Sequence, residues 1–443
     1  HAFLSPYALA VALTGRVCGL DAVRGLTLWG VLNLVLWLAA FKRFVDALVG
    51  RPHAAFYALL FTLLLWGPGA WGFSGFFHLG MLSYGMPYPS TFAAALAFAG
   101  LGGFRCYLRS QHKRWVPALA ILSAAVLLSH PITFIFLCAG WGALWLSADE
   151  VRLRDGLALG GIGALAAAGA CAWPYYSFPA LVLGQSDVFH ASNALMYRHV
   201  FMRTLPALPG LAIVAWRVRV HGRDATGLLL AALVAVYAYG WITGKWTYGR
   251  VLSYAVVVLH VALADFAARA EAGARPFAGA RQRRGVRLLV LVAAVVVCVP
   301  FLPRLGHVAR RALRNDGVGY AAYRFLATAV PPDAVVLSDP ETSHILPAFG
   351  GRAVGVTHAL AFVPDQAERL DALQRFFDPG SDRVERAAIL QRYACDYVLI
   401  DRERLGGETP APERLPHDLT VVHDDGRFVL YARPGRKTDT GAA

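Results

Sequence analysis

The stretch Lys245-Trp246-Thr247-Tyr248-Gly249-Arg250 sets two cations and two aromatic rings in a short gap between two long apolar runs. Trp and Tyr suit a membrane–water interface. Two cations at the ends of neighbouring helices suit a phosphate or diphosphate at headgroup depth, and an arginine can grip it through two parallel hydrogen bonds. The same side chains could instead snorkel to bulk lipid phosphates, which needs no specific ligand; both readings stand at this point. Arg198 and Arg203, with His199 beside them, would extend an anion-binding surface. Candidate walls for an acceptor cavity are His78, Tyr84 and Tyr88 in the aromatic, Gly/Pro-rich stretch 72–90, together with His130, His190 and Tyr248. His130 precedes Pro131, and a lone histidine in such a turn more often caps or packs than reacts.

A transfer reaction also needs a base. Residues 1–303 hold nine of the 28 acids, and only Asp21 and Asp187 fall in the loop set assigned below to the outer side. Asp21, in Gly-Leu-Asp-Ala, reads as a helix N-cap. Asp187 is therefore the candidate catalytic carboxylate of this region, against a plain loop role. His260 and Asp265 share one apolar helix, and ionisable groups within a membrane are functional candidates. Neither has an evident charged partner, so a proton relay gains little support.

The elements that must position these groups follow from composition. The 443 residues are 57% hydrophobic and 16% charged, with mean hydropathy +0.48. Soluble domains carry about a quarter charged residues. The other nineteen acids lie after residue 303, which marks a shift from membrane region to soluble domain. Ten apolar stretches are candidate spans: 25–41, 54–71, 88–104, 116–130, 132–147, 156–174, 205–216, 225–243, 251–268 and 288–302. One set of alternate loops carries eighteen Lys and Arg and the other six, so the first set is cytoplasmic. The chain then reads as a multi-pass plasma-membrane protein whose C-terminal domain lies outside the cytoplasm. The expected organisation is an outer amphipathic segment at 1–23, a transmembrane helical domain at 24–302, an extracytoplasmic α/β domain at 303–435 and a disordered tail at 436–443.

Within the α/β domain, helices are expected at 318–329, 341–349, 365–377 and 382–393. Strands are expected at 334–338, 353–357 and 397–400, with a hairpin of 419–423 and 427–432 around Asp424-Asp425-Gly426. Such alternation implies a small, partly parallel sheet. Asp339, Glu341, His344, Arg352 and His358 cluster in its strand–helix–strand unit, with Glu341 read as a helix cap. No phosphate-binding glycine motif occurs. The formal charge of +14 belongs mainly to membrane-flanking loops, which argues against nucleic acid as a partner. The six cysteines are scattered singly, without metal-ligand or disulfide spacing.

The layout resembles the class-C (GT-C) integral-membrane glycosyltransferases. The likeness is carried by the outer residues His1 to Gly19, which look like the amphipathic segment preceding the second helix in those enzymes, by Leu128-Ser129-His130-Pro131 and by Arg250 followed by Val251-Leu252-Ser253-Tyr254. A soluble α/β domain after the last span completes it. The resemblance implies transfer of a sugar from a polyprenyl-phosphate or polyprenyl-diphosphate donor to an acceptor at the outer membrane face. In that case Lys245, Arg250, Arg198 and Arg203 would hold the donor phosphate. The family's usual base is an acid in the first outer loop, which has no matched position here and is expected upstream of His1. Some members need a divalent metal, for which the sequence offers no ligand cluster. Membrane lipid and the polyprenyl-linked donor are the implied partners, with the acceptor open. The alternative functions are a transporter or lipid flippase, or a non-catalytic envelope-assembly protein.

Overall fold

The computed structural model describes residues 4–183, 190–272, 284–285, 288, 319–357, 365–406 and 415–434. The chain divides into two compact units. One comprises His1–Leu20, Arg24–Pro179 and Phe189–Ala309; the other comprises Asp21–Val23, Ala180–Val188 and Arg310–Ala443.

The chain up to residue 272 is helical, and apart from the first two residues of α2 and the last four of α9 its helices belong to the first unit: α1 (Pro6–Cys18), α2 (Ala22–Leu48), α3 (Ala54–Leu64), α4 (Leu79–Gly85), α5 (Pro89–Ser110), α6 (Trp115–Ser129), α7 (Pro131–Leu146), α8 (Leu153–Cys171), α9 (Phe178–Leu183), α10 (His190–Ala194), α11 (Val200–Thr204), α12 (Pro209–His221), α13 (Ala225–Thr243) and α14 (Leu252–Glu271). The start of α1 is fixed by the Ser5 side chain, which accepts from the Ala8 amide, and its end by Gly19 at φ +63°. It is too short to cross a bilayer. Tyr7 ties it down by donating to the Pro87 carbonyl at 2.6 Å, and Asn33 of α2 donates to the neighbouring Met86 carbonyl at 2.8 Å.

Among the described residues, four stretches are long and apolar enough to cross a membrane: α2, α5, α13 and Trp246–Glu271, which runs through α14. Helices α3, α6 and α7 are apolar but shorter. The expected span at 205–216 instead opens with a 3-10 turn, Leu205–Ala207, followed by α12; the one at 288–302 falls almost wholly outside the described residues. The apolar window of the last stretch is 89% buried, so α14 meets protein rather than lipid along its length. It packs on α3, α12 and α13 through Ala and Val side chains, whose small size lets helices approach closely.

Two expectations need correction here. The apolar stretch 54–71 is not one helix, since α3 ends at Leu64. Gly67-Pro68-Gly69 cannot continue it, and the Gly67 amide donates to the Arg203 carbonyl at 2.8 Å instead. His260 of α14 closes the break, its Nε2–H donating to the Leu65 carbonyl at 2.9 Å. Asp265 likewise has partners that the sequence hid. Its buried carboxylate accepts from Arg51 Nε at 2.9 Å, Arg217 Nη1 at 2.6 Å and Arg269 Nε at 2.9 Å. Arg217 also pairs with Asp224 at 2.6 Å, and the other oxygen of Asp224 caps α13. This network joins α14, α12, the start of α13 and the residue run entering α3, so Asp265 acts as a structural anchor.

The second unit holds a five-stranded sheet in the order β2-β1-β3-β5-β4, with β1 (Val335–Leu337), β2 (Arg352–Ala353), β3 (Tyr397–Asp401), β4 (Thr420–Asp424) and β5 (Phe428–Ala432). The β2-β1-β3 part is parallel, and β5 and β4 add antiparallel strands. Helices α15 (Gln366–Phe377) and α16 (Arg383–Arg392) bury Leu373, Phe376, Ile389 and Leu390 in the same apolar cluster as Leu337, Val398 and Ile400 of the sheet. The strand expected at 353–357 shrinks to two residues, and the helix expected at 318–329 is a 3-10 turn and one short helical turn. Glu341 is not the cap of the next turn. Asp339 accepts from the Glu341 and Thr342 amides at 3.1 and 3.0 Å, while the Glu341 carboxylate reaches out to Arg404 at 2.6 Å.

Candidate functional site

Helix α13 stops at Gly244, which takes the left-handed conformation at φ +67°. The chain then runs as a 3-10 turn, Trp246–Val251, straight into α14. The turn is wedged against Tyr197, which stacks on Tyr237 at 4.4 Å and meets the edge of Trp246 at 5.1 Å. Gly249 is required by this packing, because a Cβ there would lie 2.7 Å from the Tyr197 ring. The close fit directs Arg250, the next residue, inward.

Arg250 is half-buried, and its Nε donates to Asn193 Oδ1 at 3.1 Å. Asn193 is itself buried and donates through Nδ2 to Thr247 Oγ1 at 3.1 Å, which fixes which way its amide faces. Among the described residues no carboxylate pairs with Arg250. The contrast is with Arg217, Arg269 and Arg51, each of which meets the Asp265 carboxylate. A neutral amide orients Arg250 without cancelling its charge, so the guanidinium can still neutralise an anion.

Lys245 starts the same turn but is exposed, with Nζ 6.0 Å from the Tyr239 ring centre. Tyr248 packs edge-on against Tyr239 at 5.3 Å. The two cations of the turn thus have different settings: Arg250 is braced inside and Lys245 rests on an exposed ring. Arg203 lies over Trp71 at 5.0 Å, and Arg198 is exposed. The α10 backbone carries His190, whose side chain lies outside the described residues, as does Asp187.

The stretch 72–90 is less open than expected. Phe76, Phe77 and His78 are buried, and a histidine nitrogen, His78 Nε2, binds the Trp71 carbonyl at 3.0 Å. Tyr84 is exposed and accepts from Tyr88 at 2.8 Å. Thus His78 belongs to the packed wall, while the two tyrosines form a pair of their own.

His130 ends α6 and caps α7, its Nδ1 accepting from the Thr133 amide at 3.3 Å. Thr133 Oγ1 lies 2.8 Å from the same nitrogen and 2.7 Å from the Tyr254 hydroxyl. Helix α7, which His130 opens, packs against the 3-10 turn that carries Arg250. The structure therefore brings His130 and Arg250 into one locality, with Thr133, Asn193 and Tyr254 as supports that the sequence reading did not assign to a site. Two signals for them were present: Thr133 sits where an N-cap histidine meets its amide, and Tyr254 follows Arg250 by one helical turn.

Beside the turn is an open groove of about 500 Å³ lined by Tyr197, Phe201, Met202, Tyr237 and Trp241, with His199 at its edge. Its walls are almost wholly apolar. Among the described residues no three His, Cys, Asp or Glu side chains converge where a metal ion would sit.

No protein-family model matches the chain, and no curated protein sequence matches it. Solved structures do. The oligosaccharyltransferase of Archaeoglobus fulgidus, crystallised with zinc and sulfate, superposes with a TM-score of 0.50 at 14% identity, covering 92% of this chain and 60% of that one. The same archaeon's oligosaccharyltransferase AglB, in complex with an inhibitory peptide and a dolichol-phosphate, gives 0.50 at 13% identity over 91% of this chain and 62% of that one. A third structure, tethered to an acceptor peptide containing the NVT sequon, gives 0.50 at 14% identity over 91% and 61%. The chain spans about three-fifths of the length of these proteins. At such identity the likeness shows a fold shared with these oligosaccharyltransferases and nothing more.

Proposed function

We propose that this chain is a membrane glycosyltransferase that moves a sugar from a polyprenyl-phosphate or polyprenyl-diphosphate donor to an acceptor at the outer face of the membrane. The observation that carries the reading is Arg250: a half-buried guanidinium braced by the neutral Asn193 rather than by a described carboxylate. A cation so held favours an anionic ligand, and the apolar groove at Tyr197 and Trp241 suits the ligand's hydrocarbon chain. That the fold is shared with an enzyme solved with a dolichol-phosphate supports the same class of ligand.

In the proposed reaction the acceptor attacks the anomeric carbon with inversion. The bond from that carbon to the phosphate oxygen breaks, and its electron pair leaves with the phosphate. Arg250 stabilises the charge that grows on the oxygen, where preorganised donors have their largest effect. The acceptor's proton passes to a carboxylate base.

The test is transfer from polyprenyl-linked sugars by the purified protein in nanodiscs. Removing one such donor typically costs on the order of 10²–10³ in rate, so R250A should lose that much, with R250K recovering only part. Exposed Lys245 should matter less, with K245A within about tenfold, the scale of one modest hydrogen bond. Wild-type donor binding and turnover in R250A would overturn the proposal.

A further inference from the structure

We infer that His130 is a second, fixed N–H donor of the Arg250 anion site, directed at a phosphomonoester oxygen, with Thr133 and Tyr254 as its positioning residues. This deepens the reading of Arg250 given above and rests on it.

The tautomer follows from one backbone amide. The Thr133 N–H can only donate, and it points at His130 Nδ1 at 3.3 Å. Nδ1 therefore presents its lone pair, and the ring proton of the neutral imidazole sits on Nε2. The Thr133 hydroxyl, 2.8 Å from the same nitrogen, must then donate as well. Its oxygen is left to accept from the Tyr254 hydroxyl at 2.7 Å. The run Tyr254 to Thr133 to His130 Nδ1 thus has one direction.

The far end of that run is held rigidly. Tyr254 is buried, its ring stacked on Phe136 at 4.2 Å and 11° and edge-on to Phe98. Thr133 is fully buried. Tyr254 lies in the first turn of α14, directly after the 3-10 turn that carries Arg250, so one continuous stretch of chain carries both the guanidinium and the brace for the imidazole. A plain helix cap needs only the Thr133 amide. Two further buried hydroxyls in line behind the ring fix its rotation, which matters if Nε2–H has a target. With α7 packed against the 3-10 turn that carries Arg250, and no described carboxylate on that guanidinium, the target that satisfies both donors is an oxyanion.

The test separates capping from ligand donation. Asparagine caps helices well, so H130N keeps α7 while removing the far-side N–H. Binding of polyprenyl phosphate, and of phosphatidic acid as a bulk phosphomonoester lipid, is measured in phosphatidylcholine nanodiscs, with melting temperature followed in parallel. H130N should bind polyprenyl phosphate about tenfold more weakly, the value of one hydrogen bond to a charged group, with melting unchanged. T133V and Y254F should each lose a smaller factor, and T133S should restore wild-type affinity. Loss toward both lipids assigns the N–H donor to phosphomonoesters in general, and loss toward polyprenyl phosphate alone assigns it to the polyprenyl phosphate that transfer releases; either supports the inference. Wild-type affinity in H130N while R250A loses binding overturns the role of His130 alone. Wild-type affinity in R250A overturns the reading on which it rests. If H130N does not fold, equal affinity of T133V and T133S overturns the inference.

Discussion

At the scale of single residues, this chain uses arginine in two ways that burial alone does not separate. Arg217 is buried between two carboxylates, whereas Arg250 is braced by an amide. The first arrangement cancels charge and the second preserves it. Removing one partner from a buried pair leaves the other charge uncompensated, at a cost of about 3–5 kcal/mol, while exposed pairs are worth about 0–1 kcal/mol. D265A, which strips the shared acceptor from Arg217, Arg269 and Arg51, should therefore destabilise the protein on that larger scale. D46A, which removes the exposed partner of Lys42, should leave stability nearly unchanged. Unfolding in detergent measures both, and similar small effects would contradict the anchoring role. The sequence showed that Asp265 sat in an apolar helix. Its partners come from residues up to 214 positions away, so no local spacing could reveal them.

At the scale of elements, the instructive case is α3. Hydropathy carried the expected helix to residue 71, yet the helix stops at Leu64. The Gly67-Pro68-Gly69 signal was visible, but what makes an early break tolerable among apolar helices is remote. Unpaired backbone is expensive there. His260 supplies the Leu65 carbonyl with a donor, and Trp66 Nε1 bonds the Thr62 carbonyl at 2.6 Å. H260L should leave the Leu65 carbonyl buried and unsatisfied, costing about 1–3 kcal/mol. H260Q, which retains an N–H, should cost less, and hydrogen exchange in the α3 break would follow the same order. Equal behaviour of the two variants would remove the capping role. By contrast, α13 matched its sequence bounds at residues 225–243, because a polar N-cap, Asp224, and a left-handed glycine, Gly244, punctuate a continuous apolar run. The candidate site was legible to the same degree. The turn with Arg250 announced itself by charge, while Asn193, Thr133 and Tyr254 became visible as its supports only once distant segments were packed together.

At the scale of the whole molecule, the two units rest on different chemistry and should answer acid differently. In the sheet unit, Asp401 ends β3 fully buried and accepts from Tyr323 at 2.9 Å and from Arg427 at 3.1 Å. Burial alone would raise its pKa, but the bonds from Arg427 and Tyr323 outweigh it and hold the carboxyl below the usual range. Across the hairpin, Arg402 grips Asp424 through both oxygens at 2.8 and 2.9 Å. That bond, helped by the Gly426 amide, lowers the Asp424 pKa to about 2. A carboxyl with a depressed folded-state pKa contributes stability that is complete above its unfolded value, about 3.9, and fades as pH falls through the folded value. The sheet unit should therefore be at full strength above about pH 5 and weaken between about pH 4 and pH 2. The helical unit draws on apolar helix packing, which does not titrate, and Asp265 is its main carboxylate contributor among the described residues. Amide exchange of the intact protein, followed from pH 6 to pH 2, should open β3, β4 and β5 before α5 and α14. In D401N and D424N the pH dependence of that opening should flatten, because each variant removes one of the titrating groups. Simultaneous opening of strands and helices, or unchanged pH dependence in both variants, would show that these two carboxylates do not set the acid limit of the sheet.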